Sequence, residues 1–308
     1  MALMTYAEAS WASLRASMLA RPEVVVVGED VGRGGIFQQY KGLQQEFGAA
    51  RVVDTPISEA TIMGAAVGMA LAGLRPVVEM RVVDFALCAM DEIVNQAAKA
   101  RYMFGGQGRV PLVARLPIGL WAGSAAQHSQ NLEAWFAHVP GLVVVTPATP
   151  QDNYSLLRAA MDCGDPVIYM EHKELWGLQG EVQDEAVPLG RARVVREGKD
   201  VTLVTWSRTV HTALEVKSSK SVEIIDLRTL WPWDRETVFA SVEKTGRLIV
   251  VHEAVQAAGF GAEIAATVAE ELGVPVKRVG APRIPVGYSK PLENEARVTA
   301  ERILQSLQ

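Results

Sequence analysis

The sequence predicts an α/β protein of two domains, each a mostly parallel sheet flanked by helices. Three observations carry this. Short continuous runs of β-branched residues, the mark of strands covered on both faces, alternate with helical segments. The alternation is interrupted at residues 176–199, where Gly, Glu, Gln, Asp and Pro accumulate without period, and then resumes. The length of 308 residues suits about two domains. We place the domains at residues 1–185 and 186–308. Strands joined by helical crossovers form parallel sheets, and sites on such sheets belong at the carboxyl ends of the strands.

The first helix is expected over residues 5–20, capped by Thr5, with Ala7, Trp11, Leu14 and Met18 at helical spacing. The valines at 24–27 form a buried strand, and the glycine-rich stretch 28–35 after it is read as a loop over a site. It is neither a dinucleotide fingerprint nor a P-loop. Residues 51–54 end a further strand. Strand 76–83, a long helix over 87–103 and strand 110–116 come next. Residues 117–130, PIGLWAGSAAQHSQ, have no periodicity, and an irregular loop of that length in a compact domain is usually functional or disordered. Strand 142–146, helix 150–163 and strand 166–170 complete the first block. The second has an edge strand near 191–196, strands at 201–205, 222–226, 247–251 and 274–279, and helices at 234–244, 260–272 and 293–307. Its crossover at 207–222 is short.

The chain is organised around residues 54–70, DTPISEATIMGAAVGMA. Thr55-Pro56 ends the strand before it, because proline cannot donate to a ladder and turns its predecessor from helix. Ser58 is a suitable N-cap, so Glu59 falls in the first turn of an apolar helix that Gly73 stops. An acid there complements the helix dipole first of all. On a helix with so few charges, however, the carboxylate is poorly solvated and is a candidate for a specific partner. Gly64 and Gly68, four apart, leave one face open to the close approach of another backbone.

With 49% hydrophobic and 21% charged residues the composition is that of an ordinary globular protein, and a net charge of −5 gives no case for nucleic acid or acidic membranes. Cys88 and Cys163 are the only cysteines, which excludes a disulfide framework and suits a reducing compartment, the cytoplasm. No basic-then-apolar leader opens the sequence and no stretch approaches the ~18 apolar residues of a membrane span. The five histidines form no HExxH pair and the serines no GxSxG elbow, which disfavours zinc hydrolases and α/β-hydrolases. His128 stands out because it lies in the irregular loop. Glu171-His172 and His252-Glu253 both follow strands at their carboxyl ends, and each is equally readable as a structural hydrogen-bonding pair.

Along nearly its full length the sequence resembles the β subunit of thiamine-diphosphate-dependent 2-oxoacid dehydrogenases. The segments that carry the resemblance are DTPISEATIMGAAVGMALAGLRPVVEM, MDEIVNQAAKARYMFGGQ, AAQHSQNLEAWFAHVPGLVVVTPATPQD, DPVIYMEHKELWG, EIIDLRTLWPWD, KTGRLIVVHEA and GFGAEIAA. The resemblance implies a thiamine diphosphate pyrimidine-binding domain followed by a transketolase C-terminal-like domain. It implies half an active site in an α2β2 heterotetramer, because in that family the α subunit carries the magnesium and diphosphate motif, which has no counterpart here. Glu59 matches the glutamate that hydrogen-bonds the aminopyrimidine ring and promotes the imino tautomer that activates the thiazolium carbon. Phe85 matches the aromatic residue on the pyrimidine, Ile57 lines the same pocket, and His128 matches a histidine that handles protons in the intermediate or in acyl transfer to lipoyl-lysine.

The resemblance further implies a 2-oxoacid substrate, pyruvate or acetoin first and branched-chain 2-oxoacids second, and a lipoyl domain of a dihydrolipoyl acyltransferase as partner. It also implies a potassium ion held largely by backbone carbonyls, at positions matching Leu112, Ala160, Met161, Cys163 and Asp165, with Cys163 in place of a common aspartate. A non-catalytic structural subunit and a self-sufficient transketolase-like enzyme are the rival readings. Retained Glu59 and His128 oppose the first, and the missing diphosphate motif the second.

Overall fold

A computed structural model describes residues 1–308. The chain opens with a strand that the sequence pattern does not announce: β1 (Ala2–Thr5) pairs antiparallel with β8 (Gln179–Val182). Both are largely exposed and polar or mixed, so no burial pattern marks them. Helix α1 (Tyr6–Ala20) follows, closed by a capping box in which Thr5 Oγ1 accepts from the Glu8 N–H at 3.1 Å and the Glu8 carboxylate accepts from the Thr5 N–H at 2.7 Å. The valine run becomes β2 (Val24–Glu29). After it come α2 (Leu43–Phe47), β3 (Val52–Thr55), α3 (Glu59–Leu71) and β4 (Arg75–Glu79).

Strand β4 is shorter than the apolar run suggests. The chain swings out of the ladder beyond Glu79 and turns into a 3-10 segment at Val83–Ala89, with the Val83 N–H bonded to the Pro117 carbonyl at 2.9 Å. The single regular helix expected over 87–103 is instead a continuous but irregular run. It starts in that 3-10 segment, widens into a π turn at Glu92–Ala97 and tightens into α4 (Ala98–Met103). The wide turn lies against α3 where Gly64 lacks a side chain.

The remainder of the first block is β5 (Val113–Arg115), α5 (Glu133–Ala137), β6 (Val143–Val145), α6 (Pro150–Asp162) and β7 (Val167–Tyr169). The second block runs β9 (Arg193–Arg196), β10 (Val201–Thr205), α7 (Arg208–Leu214), β11 (Val222–Asp226), β12 (Thr229–Trp231), α8 (Arg235–Thr245), β13 (Leu248–Val255), α9 (Gly261–Leu272) and β14 (Val276–Ala281). Helices α10 (Lys290–Glu295) and α11 (Ala300–Leu307) close the chain. The one helix expected over 293–307 is thus two. Thr299 adopts extended backbone and accepts from the Arg302 N–H, so it starts a new helix.

Besides the two-stranded β1-β8 ribbon there are two large sheets, with orders β12-β6-β7-β5-β4-β2-β3 and β14-β13-β10-β11-β9. Within these two every pairing is parallel except the edge strands β12 and β9. Strand β12 comes from the second block but pairs with β6 of the first, Thr229 opposite Val145. The two blocks are therefore stitched through the sheet, and one hydrophobic core runs from Val27 and Ile62 through Trp206 to Val250. No helix is long and apolar enough to cross a membrane.

Candidate active site

Glu59 is the first residue of α3, beyond the carboxyl end of β3, and is half-buried. Ser58 stands at the N-cap as expected, but its hydroxyl donates to the Pro56 carbonyl at 3.1 Å instead of capping the helix. The free N–H groups of this turn remain directed at whatever occupies the space before it. Glu29 ends the neighbouring strand, with β2 and β3 in register at Glu29 and Thr55. Burial, and then the negative charge of Glu59, push the Glu29 carboxyl above the usual carboxylate range. Glu29 is a site residue that the motifs do not single out. Its place at a carboxyl end, on the strand beside Glu59, is the signal that finds it.

Ile57 is 77% exposed, a large aliphatic side chain in water next to that carboxylate. The outward face of α3 continues it with Ala60, Thr61, Gly64, Ala65, Gly68 and Leu71, all exposed and none charged. A Cβ on Gly68 would meet nothing within 4 Å. Gly64 faces Glu92 of the π turn, 3.6 Å from where its Cβ would stand, whereas nothing in this chain uses the approach that Gly68 permits.

Helix α3 packs against the Val83–Ala89 turn, which carries Phe85. The Phe85 ring and the His128 imidazole meet in a T-shaped pair, with centroids 5.2 Å apart and planes at 82°. His128 lies in the long loop, which stays irregular as expected but is well anchored. The Gly119 N–H bonds to the Gln130 carbonyl at 3.1 Å, Gln130 donates to Asp84 at 2.8 Å, and the Lys173 ammonium donates to the His128 carbonyl. Ala122 and Ala125 are held at φ +49° and +62°, conformations that a side chain adopts only under constraint.

Beneath these residues lies a buried polar floor. Tyr40 donates to Glu79, Gln39 donates to Glu79 at 3.0 Å, Arg115 donates to Tyr40 at 2.8 Å and to Glu171 at 2.9 Å, and Asn153 donates to Glu171 at 2.8 Å. Burial pushes the Glu79 carboxyl up to about 7. Glu171-His172 follows β7 as expected, whereas β13 runs on to Val255 and so contains His252-Glu253, and neither dipeptide pairs internally. His172 Nδ1 accepts from the Glu174 N–H, so Nε2 carries the proton and donates to Glu253 across the domain junction. Glu171 serves Arg115, and His252 stacks on Trp206 at 5.2 Å. Gly119 is confined to glycine here: φ is +88°, and a Cβ would lie 1.9 Å from His172 Nε2.

The five positions expected around potassium lie at the amino ends of the central strands β5 and β7 and at the end of α6. Arg75 Nη1 donates to the carbonyls of Met161 at 2.9 Å and Cys163 at 3.1 Å. The Leu112 carbonyl accepts from Val167 at 2.9 Å, the Ala160 carbonyl from Cys163 at 3.2 Å, and the Asp165 carboxylate from Arg101 at 2.6 and 2.7 Å. A guanidinium thus already faces two of the expected ligands. No cluster of three or more His, Cys, Asp or Glu forms a metal site of side chains.

Two family models match the chain, the transketolase pyrimidine binding domain over residues 2–179 and the transketolase C-terminal domain over residues 190–303. The chain is 43% identical to the pyruvate dehydrogenase E1 component subunit beta-2, mitochondrial, of Oryza sativa subsp. japonica, over 98% of this chain and 85% of the relative. It is 44% identical to the acetoin:2,6-dichlorophenolindophenol oxidoreductase subunit beta of Cupriavidus necator, over 90% and 88%. Against the 2-oxoisovalerate dehydrogenase subunit beta of Bacillus subtilis identity is 38%, over 98% and 97%. Among solved structures, a split-gene transketolase described as an inactive beta4 tetramer superposes with a TM-score of 0.81, covering 99% of this chain and 97% of that one at 23% identity, which speaks for the fold.

Proposed function

Because the chain belongs to the family of 2-oxoacid dehydrogenase E1 β subunits, built from transketolase-type pyrimidine-binding and C-terminal domains, we propose that it supplies the pyrimidine half of a thiamine diphosphate site and works only with an α subunit. The reaction is oxidative decarboxylation of pyruvate, or cleavage of acetoin, with reductive acylation of the lipoyl-lysine of a dihydrolipoyl acyltransferase. The branched-chain reading is the alternative, supported by the 38% identity to the 2-oxoisovalerate dehydrogenase subunit. The assembly is α2β2, magnesium and diphosphate are held by α, and the compartment is the cytoplasm, where Cys88 and Cys163 stay reduced.

One observation carries the reading. Glu59 and Ile57 present a carboxylate and an aliphatic side chain at the start of an uncharged helix face that stays exposed in this chain, and the turn that carries the aromatic Phe85 packs against the same helix. That set fits an aminopyrimidine, and the bound coenzyme would supply the electron sink for loss of carbon dioxide. Glu59 would hold a proton at the ring nitrogen, in a site that closure by α shields from water. Phe85 and Ile57 would fix the ring plane. His128, oriented by the Phe85 ring, would hold or deliver protons at the substrate carbon and during acyl transfer. Potassium would be held by the backbone oxygens of Leu112, Ala160, Met161, Cys163 and Asp165, sharing two of them with Arg75.

The test is co-purification with the α subunit and a screen of pyruvate, acetoin and branched-chain 2-oxoacids. Turnover is expected from the complex and from neither subunit alone. Turnover by this chain without a partner overturns the half-site.

A further inference from the structure

Lys173 is 2% exposed, follows β7, and uses one of its three N–H donors on the backbone carbonyl of His128. The second oxygen of Asp84 is buried nearby without a hydrogen-bond partner, while the first holds Gln130 at 2.8 Å. The loop at His128 and just after it is thus tied to charged groups, the ammonium of Lys173 at residue 128 and the carboxylate of Asp84 at residue 130. Earlier in the same loop Ala122 and Ala125 sit in the left-handed region, so the loop would relax elsewhere if it were not held. An aliphatic side chain of the same length would fill the space but leave the His128 carbonyl unpartnered.

We propose that Lys173 is a positioning residue for His128: its charged ammonium clamps the loop carbonyl and so fixes where the imidazole stands against Phe85. This rests on the catalytic reading of His128 given above. The charged groups facing Lys173 are Asp84 from the turn after β4, Glu253 from β13 and Glu174 from its own segment, and all three favour the ammonium. Burial outweighs them and brings the lysine down to about 8. The clamp therefore weakens as pH rises through that value, whereas an arginine at the same place would keep its charge.

The experiment uses the αβ complex with Lys173→Arg and Lys173→Met. For the wild type, kcat should fall as pH rises through about 8, and K173R should carry the fall at least one pH unit higher. K173M should lose about tenfold or more in kcat at pH 7 with the KM for the 2-oxoacid nearly unchanged, and the double variant with His128→Ala should be no worse than H128A alone. Amide hydrogen exchange of the peptide containing residues 125–130 reads the clamp without turnover. Its protection should fall about tenfold beyond the chemical rate between pH 7 and 9 in the wild type and hold in K173R. Identical alkaline limbs and identical exchange in wild type and K173R overturn the proposal. A wild-type complex that turns over no 2-oxoacid removes the functional reading instead, and the exchange comparison still decides the clamp.

Discussion

The Phe85 ring and the His128 imidazole meet edge to face, 5.2 Å between centroids and 82° between planes. A ring held edge-on against a face is a directional contact worth about 0.5–1.5 kcal/mol beyond area in aromatic pairs. Phe85 therefore has two tasks in the proposed site, flanking the pyrimidine and orienting the proton-handling group. Phe85→Leu keeps most of the apolar volume and removes the ring. We expect roughly a tenfold fall in kcat of the αβ complex with a raised KM for thiamine diphosphate. An unchanged kcat would separate the ring from catalysis.

Glu59→Gln keeps the shape and the half-burial of the side chain and loses the proton affinity. A group that positions a proton in the transition state contributes on the order of 10²–10⁴-fold. Turnover should fall by that amount while light scattering shows the assembly intact. Near-normal turnover would remove Glu59 from the chemistry.

Much of the fold is legible in the amino-acid sequence itself. The valine run at 24–27, the Thr5 cap and the restart after residue 199 each report a local preference that the fold obeys. Strands β1, β8 and β12 are not legible, because their pairing is non-local, β1 and β8 are largely exposed and β12 is only three residues long. The same holds for the site. Glu59 and His128 are visible as odd residues in odd places, whereas nothing within EHKELWG marks Lys173. A buried lysine is recognisable only once its acceptor, 45 positions away in sequence, is known. The π turn at Glu92–Ala97 likewise answers to its neighbour α3 and not to its own sequence.

Gly68 lies in the interior of α3 with open space around it, so in the isolated chain alanine should raise stability by about 0.5–1 kcal/mol through helix propensity. In the proposed assembly the same face would receive another backbone. Gly68→Leu should leave the lone chain folded, by circular dichroism and melting temperature, yet abolish co-purification with α. Retained co-purification would place the partner elsewhere.

If potassium shares the Met161 and Cys163 carbonyls with Arg75, the melting temperature of the complex should be higher in potassium chloride than in sodium chloride at equal ionic strength. The difference should widen in Arg75→Gln, which returns those oxygens to the ion. Equal melting temperatures for both salts and both proteins would mean that the guanidinium alone serves as the cation here.

Glu79 gives a pH dependence with a definite sign. Burial raises its folded-state value to about 7, above the 4.5 of the open chain, against the pull of Arg115 and the hydrogen bonds from Tyr40 and Gln39. The folded protein therefore binds the extra proton between those values, and the contribution to stability is fully present below pH ~4.5 and lost as pH rises through about 7. The shift corresponds to roughly 3 kcal/mol. Asp226, also raised to about 7 by burial and then by Asp152, acts in the same direction. Glu79→Gln should keep the Tyr40 and Gln39 contacts in altered form and remove its share, so chemical denaturation at pH 5, 6 and 7 should show a flatter decline in the variant, with the residue of the slope left to Asp226. A decline as steep as in the wild type would mean that Glu79 is already ionised at pH 5 and that Arg115, one hydrogen bond removed through Tyr40, prevails over its burial.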